Sequence, residues 1–309
     1  MNRVSTSGNY SAVLANLMAA QQRQADANAQ VSSQKVGHDL KGFAKHAEML
    51  TAIRSVQVRG AAYLEQNQLV ADKLSTQDAA LNQIADAAQA ARQAIADALA
   101  SGRGDTLVED IQAQMRNVVD GLNARYGGKY LFAGGQVDSA PMTATSLSDL
   151  TALGTVIADF FKNDDFLAQN KVDDATTVTT GVLADDIGTD VMTSFKSFQS
   201  FQEGVNGPFT GVLTPAQKTF LEGELTQWDT SHRALINIAG RNGLLQRRVE
   251  GVNVDLDGRQ ATLQTMMGGI TDVDMAQAIS NLQAAQLSVQ ASAQALVSMQ
   301  QSSLLNFLN

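Results

Sequence analysis

The chain has 309 residues, with three prolines, no cysteine, 5% aromatic residues and a formal net charge of −9. The acidic balance, and the lack of any stretch that concentrates Lys and Arg with aromatics, argue against nucleic acid or an anionic membrane surface as the main partner. Without cysteine there are no disulfides and no thiolate metal sites, and no apolar run approaches the roughly 18–20 residues of a membrane span. Few prolines and few aromatics favour long helices over sheets.

Residues 1 to about 35 carry one apolar face at helical spacing, set in Gln, Ala, Asn and Ser. Its members are Val13, Leu17, Ala20, Ala27 and Val31. The face is mostly alanine, so the helix alone would not offset its ordering entropy in water. Arg3 followed by Tyr10–Ala20 faintly imitates a secretory signal, but the face continues past any plausible cleavage site. We therefore expect export without a cleaved signal peptide.

A long heptad pattern follows the break at Gly37 and Gly42. Spacings of three and four alternate through Ile53, Val56, Gly60, Tyr63, Asn67, Val70, Leu74, Gln77, Leu81, Ile84, Ala88, Ala91, Ile95 and Ala98. Only Gly60, Asn67 and Gln77 in this series are not apolar. The pattern predicts one rod-like helix roughly 70 Å long, at 1.5 Å per residue.

A turn at 101–105 precedes a third helical pattern, for which Asp105 or Thr106 is the expected cap. Its apolar positions are Leu107, Ile111, Met115, Val118 and Leu122. We expect this helix to end at Gly127–Gly128. The short connection predicts that it folds back antiparallel on the long helix.

The middle of the chain, from about Tyr130 to Pro215, changes character. It holds all three prolines, the β-favouring run Thr176–Thr180 and irregularly spaced glycines. We predict a small mixed or β-rich insert, with helices near Leu150–Phe161 and Val191–Phe201. Three acidic pairs, Asp164–Asp165, Asp173–Asp174 and Asp185–Asp186, are interpreted as solvated turns. They could bind calcium only if loops brought them together.

After Pro215 the helical pattern returns. One register holds Leu221, Leu225, Trp228, His232, Leu235 and Ala239, and a second holds Leu245, Val249, Val252, Leu256, Leu263 and Met266. The pattern slips between them, at Gly240–Gly243. We expect Gly268–Gly269 to separate this helix from the last one.

The last stretch, 270–309, opens with Thr271, Asp272 and Asp274, which predict a helix N-terminus. Its apolar seam is Met275, Ile279, Leu282, Val289, Ala293 and Leu296, with Gln286 in the same register. It ends on the apolar residues Leu304, Leu305, Phe307 and Leu308. Both ends of the chain are too weak to stand alone, so we expect them to pair with each other and with further copies.

The predicted fold is mainly α: a long antiparallel helical rod and a coiled coil formed by both chain ends, with the central insert. We expect a terminal coiled-coil domain at 1–42 and 270–309. The helical rod domain is predicted at 43–140 and 215–269, and the outer insert at 141–214.

No combination of residues predicts an active site. His38, His46 and His232 are the only imidazoles, and a packed or exposed role is expected for each. The sequence has no HExxH, phosphate-binding glycine loop or nucleophile elbow. We therefore expect no catalytic, cofactor-binding or metal-binding residues. A type III translocator that acts on host membranes should carry a long apolar segment, and none is visible.

Both ends of the chain resemble the flagellin superfamily, most clearly ISNLQAAQLSVQASAQALVSMQQSSLLNFL near the end. Within that superfamily, RYGGKYLFAG at 125–134 and DSAPM at 138–142 resemble the junction motif of the hook-associated proteins that join hook to filament. The residues that carry this likeness are Arg125, Tyr126, Tyr130, Phe132, Gly134 and Pro141. The motif holds extra residues, and the stretch SSQKVGHD at 32–39 lacks the proline-containing form that is common in these proteins. Filament flagellin, the major filament subunit, therefore stays the alternative.

The resemblance implies a non-enzymatic extracellular subunit of the bacterial flagellum that is exported by the type III apparatus and needs no cofactor. Its terminal helices would order in an inner tube when copies assemble as a homo-oligomer. Implied partners are another hook-associated protein, filament flagellin and a flagellar export chaperone. Nucleic acid and membrane are not expected partners.

Overall fold

The computed structural model describes residues 3–37 and 42–308, with side chains described at 9–37 and 42–301. Within these ranges the helices are α1 (Arg3–Ser33), α2 (Ala47–Ser101), α3 (Leu107–Leu122), α4 (Leu147–Leu150), α5 (Ala184–Glu203), α6 (Pro215–Thr271) and α7 (Met275–Leu308). Two antiparallel hairpins join β1 (Arg125–Tyr126) to β2 (Lys129–Tyr130) and β3 (Gln169–Lys171) to β4 (Thr177–Thr179). The prediction of a mainly helical chain with paired ends and a small strand-containing insert is confirmed. No described helix has the length and apolar character needed to cross a membrane.

The chain forms two compact units. The terminal unit holds residues 1–59 and 258–309, and the central unit holds residues 60–257. Helices α2 and α6 contribute residues to both units. The division into three domains made from the sequence stays a prediction.

The heptad seam of α2 is confirmed over most of the central unit, where Gly60 and Tyr63 are half-buried. From Asn67 to Ala98 every predicted seam position is buried. The predicted position Val56, in the terminal unit, is instead exposed. Removing the seam from water stabilises the helix because each fully buried Val, Leu or Ile side chain contributes about 1.5–3 kcal/mol.

The predicted slip in the α6 pattern is wrong. The helix runs from Pro215 to Thr271 without interruption, and its seam keeps one register through Asn242, which is buried. Asn242 Nδ2 donates hydrogen bonds to Leu74 O (3.0 Å) and Asp78 Oδ1 (3.2 Å) on α2. A polar side chain therefore occupies a seam position because the facing helix supplies its acceptors. The expected break at Gly268–Gly269 is also wrong, since both glycines lie inside α6.

Helix α3 packs as predicted, with Leu107, Ile111, Met115, Val118 and Leu122 all buried. Thr106 is its N-cap residue but makes no side-chain capping hydrogen bond. The helix ends at Leu122, so the expected end at Gly127–Gly128 is wrong. Both glycines instead have positive φ and form the two-residue turn of the β1–β2 hairpin, a conformation that glycine adopts without a Cβ penalty.

The insert contains one short hairpin, β3–β4, and its main helix, α5, is longer than predicted. Strand β4 forms within Thr176–Thr180, as expected. The helix expected at Leu150–Phe161 is wrong as a continuous element: α4 ends at Leu150, Gly154 has φ +82°, and a separate 3-10 turn covers Ile157–Phe160. The helix expected near Val191–Phe201 lies within the longer α5.

Aromatic side chains join α5 to α6 in the core of the central unit. Phe195 meets Trp228 edge to face, with ring centroids 4.8 Å apart. Phe201 stacks on Phe220 at 4.0 Å, and Phe198 stacks on Phe209 at 5.1 Å. Such contacts add about 0.5–1.5 kcal/mol per pair beyond area burial. The insert is therefore held by the same core as the α2–α6 seam.

The β3–β4 hairpin lies against α2. Asn67 Nδ2 donates hydrogen bonds to Val172 O (2.9 Å) and to Asn253 Oδ1 on α6 (2.8 Å). Val172 and Val178 pack with Val70, Leu74 and Val249 in a small apolar cluster. One asparagine in the seam thus links α2, α6 and the hairpin.

Candidate assembly surfaces

The inner face of α1 is the one predicted from the sequence. Ala20 and Ala27 are buried, and Val13, Leu17 and Val31 are half-buried. This face packs against α7, which confirms that the two chain ends pair. The large members of the face keep part of their surface in contact with solvent, although burying them would be favourable.

The predicted seam of α7 is half right. Met275, Leu282, Val289 and Leu296 are half-buried, as are Ser292 and Met299, which complete the true seam with the buried Ala278 and Ala285. Between Met275 and Leu282, which belong to both the predicted and the observed face, the buried residue is Ala278 (0% exposed) and not Ile279 (45% exposed). Gln286 is likewise exposed, while Ala293 is half-buried at the edge of the face. The alternating spacing was therefore correct, but the small residues were missed.

Small side chains let α1 and α7 approach closely along this face. Ala20 and Ala27 on one helix and Ala278 and Ala285 on the other are its most buried members. Alanine buries little apolar area, so this contact supplies less free energy than a Leu- or Ile-based seam of the same length. Met18, Leu287 and Val297 are exposed on the same two helices. The paired ends thus retain apolar surface that a further partner could cover.

A polar crossover joins the end of α1 to the connection between α6 and α7. Val36 N donates to Thr271 O (2.8 Å), and Val273 N donates to Gln34 O (3.0 Å). The Lys35 ammonium forms an ion pair with Asp272 and also reaches Thr271 Oγ1. The Lys35 hydrogen bond is the main cause that lowers the pKa of Asp272 below its ordinary value. Lys35 and Asp272 are far apart in sequence, so no local pattern predicted this pair.

The crossover also corrects the predicted start of α7. Thr271 is the last residue of α6, and Asp272 faces Lys35 instead of capping a helix. Asp274 is the residue that caps α7, because its Oδ1 accepts hydrogen bonds from Ala276 N (2.9 Å) and Gln277 N (3.2 Å).

The motif at 125–142 begins as the β1–β2 hairpin. The Arg125 guanidinium lies over the Tyr130 ring, 4.1 Å from its centroid, and donates a hydrogen bond to the Tyr130 hydroxyl. Lys129 Nζ contacts Asp138 Oδ1 at 2.9 Å. Tyr126 packs against the core of the central unit. A cation over an aromatic ring stabilises the hairpin by about 0.5–1 kcal/mol at an exposed site.

The second half of the motif is built into the fold. Phe132 is buried, and its carbonyl accepts a hydrogen bond from Ala184 N at the start of α5 (2.9 Å). Gly134 has φ +65°, and a Cβ there would lie 2.2 Å from Asp164 Oδ1. The Gly135 N–H holds the pKa of Asp164 below its ordinary value. Pro141 O accepts a hydrogen bond from Lys162 N (2.8 Å). The motif residues are thus brought together as a structural junction between α3 and the insert.

The remaining sequence-predicted residues do not assemble a chemical site. Leu304, Leu305, Phe307 and Leu308 lie in α7 by their backbone, but their side chains are outside the described residues. His46 is exposed and His232 is half-buried, while His38 lies outside the described residues. In the part of the chain that the structure describes, no group of three or more His, Cys, Asp or Glu side chains could hold a metal ion.

Comparisons with known proteins agree with this helical architecture. The model of the bacterial flagellin N-terminal helical region matches residues 4–136, and that of the C-terminal helical region matches residues 225–308. A solved structure assigned to a flagellar hook-associated protein from Vibrio parahaemolyticus has a TM-score of 0.58 at 12% identity, covering 73% of this chain and 97% of that one. The crystal structure of Bacillus cereus FlgL has a TM-score of 0.53 at 13% identity. The match covers 71% of this chain and 99% of FlgL. No curated protein matches the chain.

Proposed function

Because the chain belongs to the flagellin family, a family of non-enzymatic structural proteins of the extracellular flagellum, we propose that it is the adaptor that joins hook to filament. The family membership implies assembly into the flagellar polymer. The proposal adds the position in that polymer. It also adds the neighbours: further copies of this chain, another hook-associated protein on one side and filament flagellin on the other.

The observation that carries the proposal is the junction motif together with its geometry. Arg125 over Tyr130, buried Phe132 and Gly134 against Asp164 form a compact connection between α3 and the insert. The sequence of this connection resembles that of hook-associated proteins. The two hook-associated structures named above support the fold, since this chain covers almost their whole length.

The half-buried pair of α1 and α7 supplies the mechanism of assembly. Val13, Leu17, Leu282, Val289 and Leu296 retain solvent-exposed surface in the single chain. Packing of several copies would bury that surface in a shared core, as in a multi-helix coiled coil. We expect export without a cleaved signal peptide, with an export chaperone on the C-terminal segment before assembly. In the assembled state, 1–42 with 270–309 would lie innermost and the insert 141–214 outermost.

Labelling a single engineered cysteine tests the position of the protein. The natural chain has no cysteine, and Val205 is fully exposed in the loop after α5. Flagella that carry V205C in place of the natural chain are treated with a maleimide fluorophore and gold-conjugated antibody to it. One label at the base of each filament is expected. Label along the whole filament would instead identify a filament flagellin, and cells with the cysteine-free chain give the background.

A further inference from the structure

Helix α6 has two stripes on different sides within the central unit, one buried and one exposed. One is the buried seam, which includes Leu235, Asn242 and Val249. The other, the outer stripe, consists of Arg233, Ile236, Gly240, Leu244, Arg247, Gly251 and Val254. At 100° per residue, these positions lie between about a third and half of a turn from the seam. Ile236, Leu244 and Val254 are 47%, 58% and 66% exposed.

No contact among the residues that the structure describes explains the composition of the outer stripe. A Cβ added at Gly240 or at Gly251 would meet no heavy atom within 4 Å, so neither glycine makes room for an intramolecular contact. An exposed glycine in a helix costs roughly 0.5–1 kcal/mol relative to alanine. Three exposed aliphatic side chains on the same face add unfavourable contact with water. An intermolecular contact would offset both terms.

The charges around the outer stripe specify what could cover it. Residues 233–254, which span the outer stripe, contain four arginines, Arg233, Arg241, Arg247 and Arg248, and one acidic residue, Glu250. All four arginines are exposed, and no ion pair within the described part of the chain engages them. Two outer stripes facing each other would bring arginines together, which disfavours a symmetric contact. The partner surface should be apolar and acidic.

Such a surface exists on the solvent side of α2. Glu65, Leu69 and Asp72 follow one another at spacings of four and three, away from the buried seam of that helix. Leu69 is 59% exposed, and residues 60–72 contain two acidic residues and no Lys or Arg. This acidic face has the same combination as the outer stripe, an aliphatic side chain between charged ones, with the opposite sign of charge.

We propose that the outer stripe of one copy packs on the acidic face of a second copy of the chain. Leu244 and its aliphatic neighbours contact Leu69, while Arg233 or Arg247 pairs with Glu65 or Asp72. The two faces differ, so the contact is heterologous and repeats from copy to copy. The inference rests on the proposed function only in requiring that copies of this chain stand side by side.

Cysteine cross-linking tests the contact directly. Because the natural chain has no cysteine, a chain carrying L69C and L244C has two reactive thiols. In isolated flagella treated with a short bismaleimide, we expect a ladder of covalently joined copies. Flagella with L69C alone or L244C alone should give at least tenfold less dimer. A matched control, L69C with V205C, keeps two exposed cysteines but moves one off the outer stripe and should give no ladder.

Charge exchange tests the electrostatic part. Adding R247E to the L69C/L244C chain should lower the cross-linked yield several-fold, and adding both E65R and D72R to the R247E chain should restore much of it. All these residues are exposed, so circular dichroism should show unchanged helix content. Three outcomes would each overturn the proposal. They are efficient cross-linked dimers of the chain that carries L244C alone, cross-links to another flagellar protein in place of a second copy, and no ladder in flagella that contain the L69C/L244C chain.

The result is separable from the proposed function. A ladder together with V205C label along the whole filament would refute the junction role and leave the contact standing. V205C label confined to the filament base, with no ladder, would support the junction role and refute the contact.

Discussion

The two helix pairs of this protein follow the same heptad rule and reach different degrees of burial. In the central unit, the α2–α6 seam from Asn67 to Ala98 is buried on the α2 side. In the terminal unit, the large aliphatic residues that the structure describes between α1 and α7 stay half-buried, and the buried side chains described on these two helices are alanines. Periodicity therefore determines which face packs, while residue size and the number of packing layers determine how completely it is buried.

Additional elements account for the difference. The α2–α6 seam shares one core with α3 and α5, whose buried residues include Ile111, Met115, Val191 and Phe195. Burial on several sides gives each seam residue its full transfer free energy. We expect the central unit to be stable in the single chain and the α1–α7 pair to gain its missing layer from other copies. Four substitutions test this difference.

The largest expected effect is at the centre of the aromatic core. Trp228 is buried and meets Phe195 edge to face. Trp228→Ala should lower the free energy of unfolding of the purified chain by about 3–5 kcal/mol, because it removes the side chain and leaves a cavity. Urea denaturation followed by circular dichroism measures this. Phe166→Ala, at an exposed ring, should change it by less than about 0.5 kcal/mol, and an equal loss in both variants would contradict a core confined to the buried faces.

A smaller effect is expected where α3 crosses α2. A Cβ at Gly121 would lie 2.5 Å from Ile84 Cγ1. Gly121→Ala should therefore lower the free energy of unfolding by about 1–3 kcal/mol, because the added methyl group overpacks the contact. A Cβ at Gly223, in α6, would meet no heavy atom within 4 Å. The matched change Gly223→Ala should therefore raise the free energy of unfolding by about 0.5–1 kcal/mol, because alanine has the higher helix propensity. Urea midpoints that move in the same direction for both would disprove the close α2–α3 approach.

The third test concerns a buried carboxyl in the same core. Burial raises the pKa of Glu224, although Ser197 Oγ donates a hydrogen bond to it at 2.7 Å. The folded state thus binds the proton more tightly than the unfolded state, so this group's contribution is greatest below its ordinary pKa and is lost as pH rises through the raised pKa. Glu224→Gln should therefore raise the free energy of unfolding by about 1 kcal/mol at neutral pH.

That gain should fade when the urea titration is repeated at a pH below the ordinary pKa of glutamate, where the natural side chain is protonated in both states. Glu222→Gln, at an exposed position of the same helix, is the matched control and should change the free energy of unfolding by less than about 0.5 kcal/mol at neutral pH. A gain for Glu224→Gln that is constant with pH would exclude ionisation as its cause.

The smallest effect on the single chain is expected in the terminal unit. Leu282 is half-buried between α7 and α1. Leu282→Ala should lower the free energy of unfolding in dilute solution by less than about 1 kcal/mol, since little apolar area is covered there. The same change should sharply reduce incorporation into flagella, as measured by immunoblotting. Leu153→Ala, at a fully exposed loop position, should affect neither, and normal incorporation of the Leu282 variant would refute the shared-core mechanism.

The sequence predicted the elements whose packing repeats with a constant period. Helix α2, α3 and the face of α1 follow from spacing alone. The errors arose where a polar or small residue occupies a packing position: Asn242 in the α6 seam, satisfied by Leu74 O, and Ala278 in place of Ile279 on α7. Hydrophobicity patterns give such residues little weight, although a facing carbonyl or a close helix approach makes them suitable.

Glycine was the other source of error. Gly268 and Gly269 continue a helix, whereas Gly127, Gly128 and Gly154 form turns. A helix stabilised by tertiary packing tolerates the cost of glycine, and local sequence does not reveal that packing. The contacts that build the junction motif and the crossover, such as Lys35 with Asp272, join residues distant in the chain. Composition and periodicity therefore predicted the class of fold but not the polar contacts that hold its parts together.

The crossover also affects how the terminal unit would bear a mechanical load. Gln34–Val36 and Thr271–Val273 exchange two backbone hydrogen bonds in opposite directions, with an ion pair between them. A pull that slides one of these segments past the other loads both hydrogen bonds and the ion pair together instead of breaking them one after another. A load on the terminal helices would thus be shared by all three contacts at the point where the chain leaves α1 and enters α7.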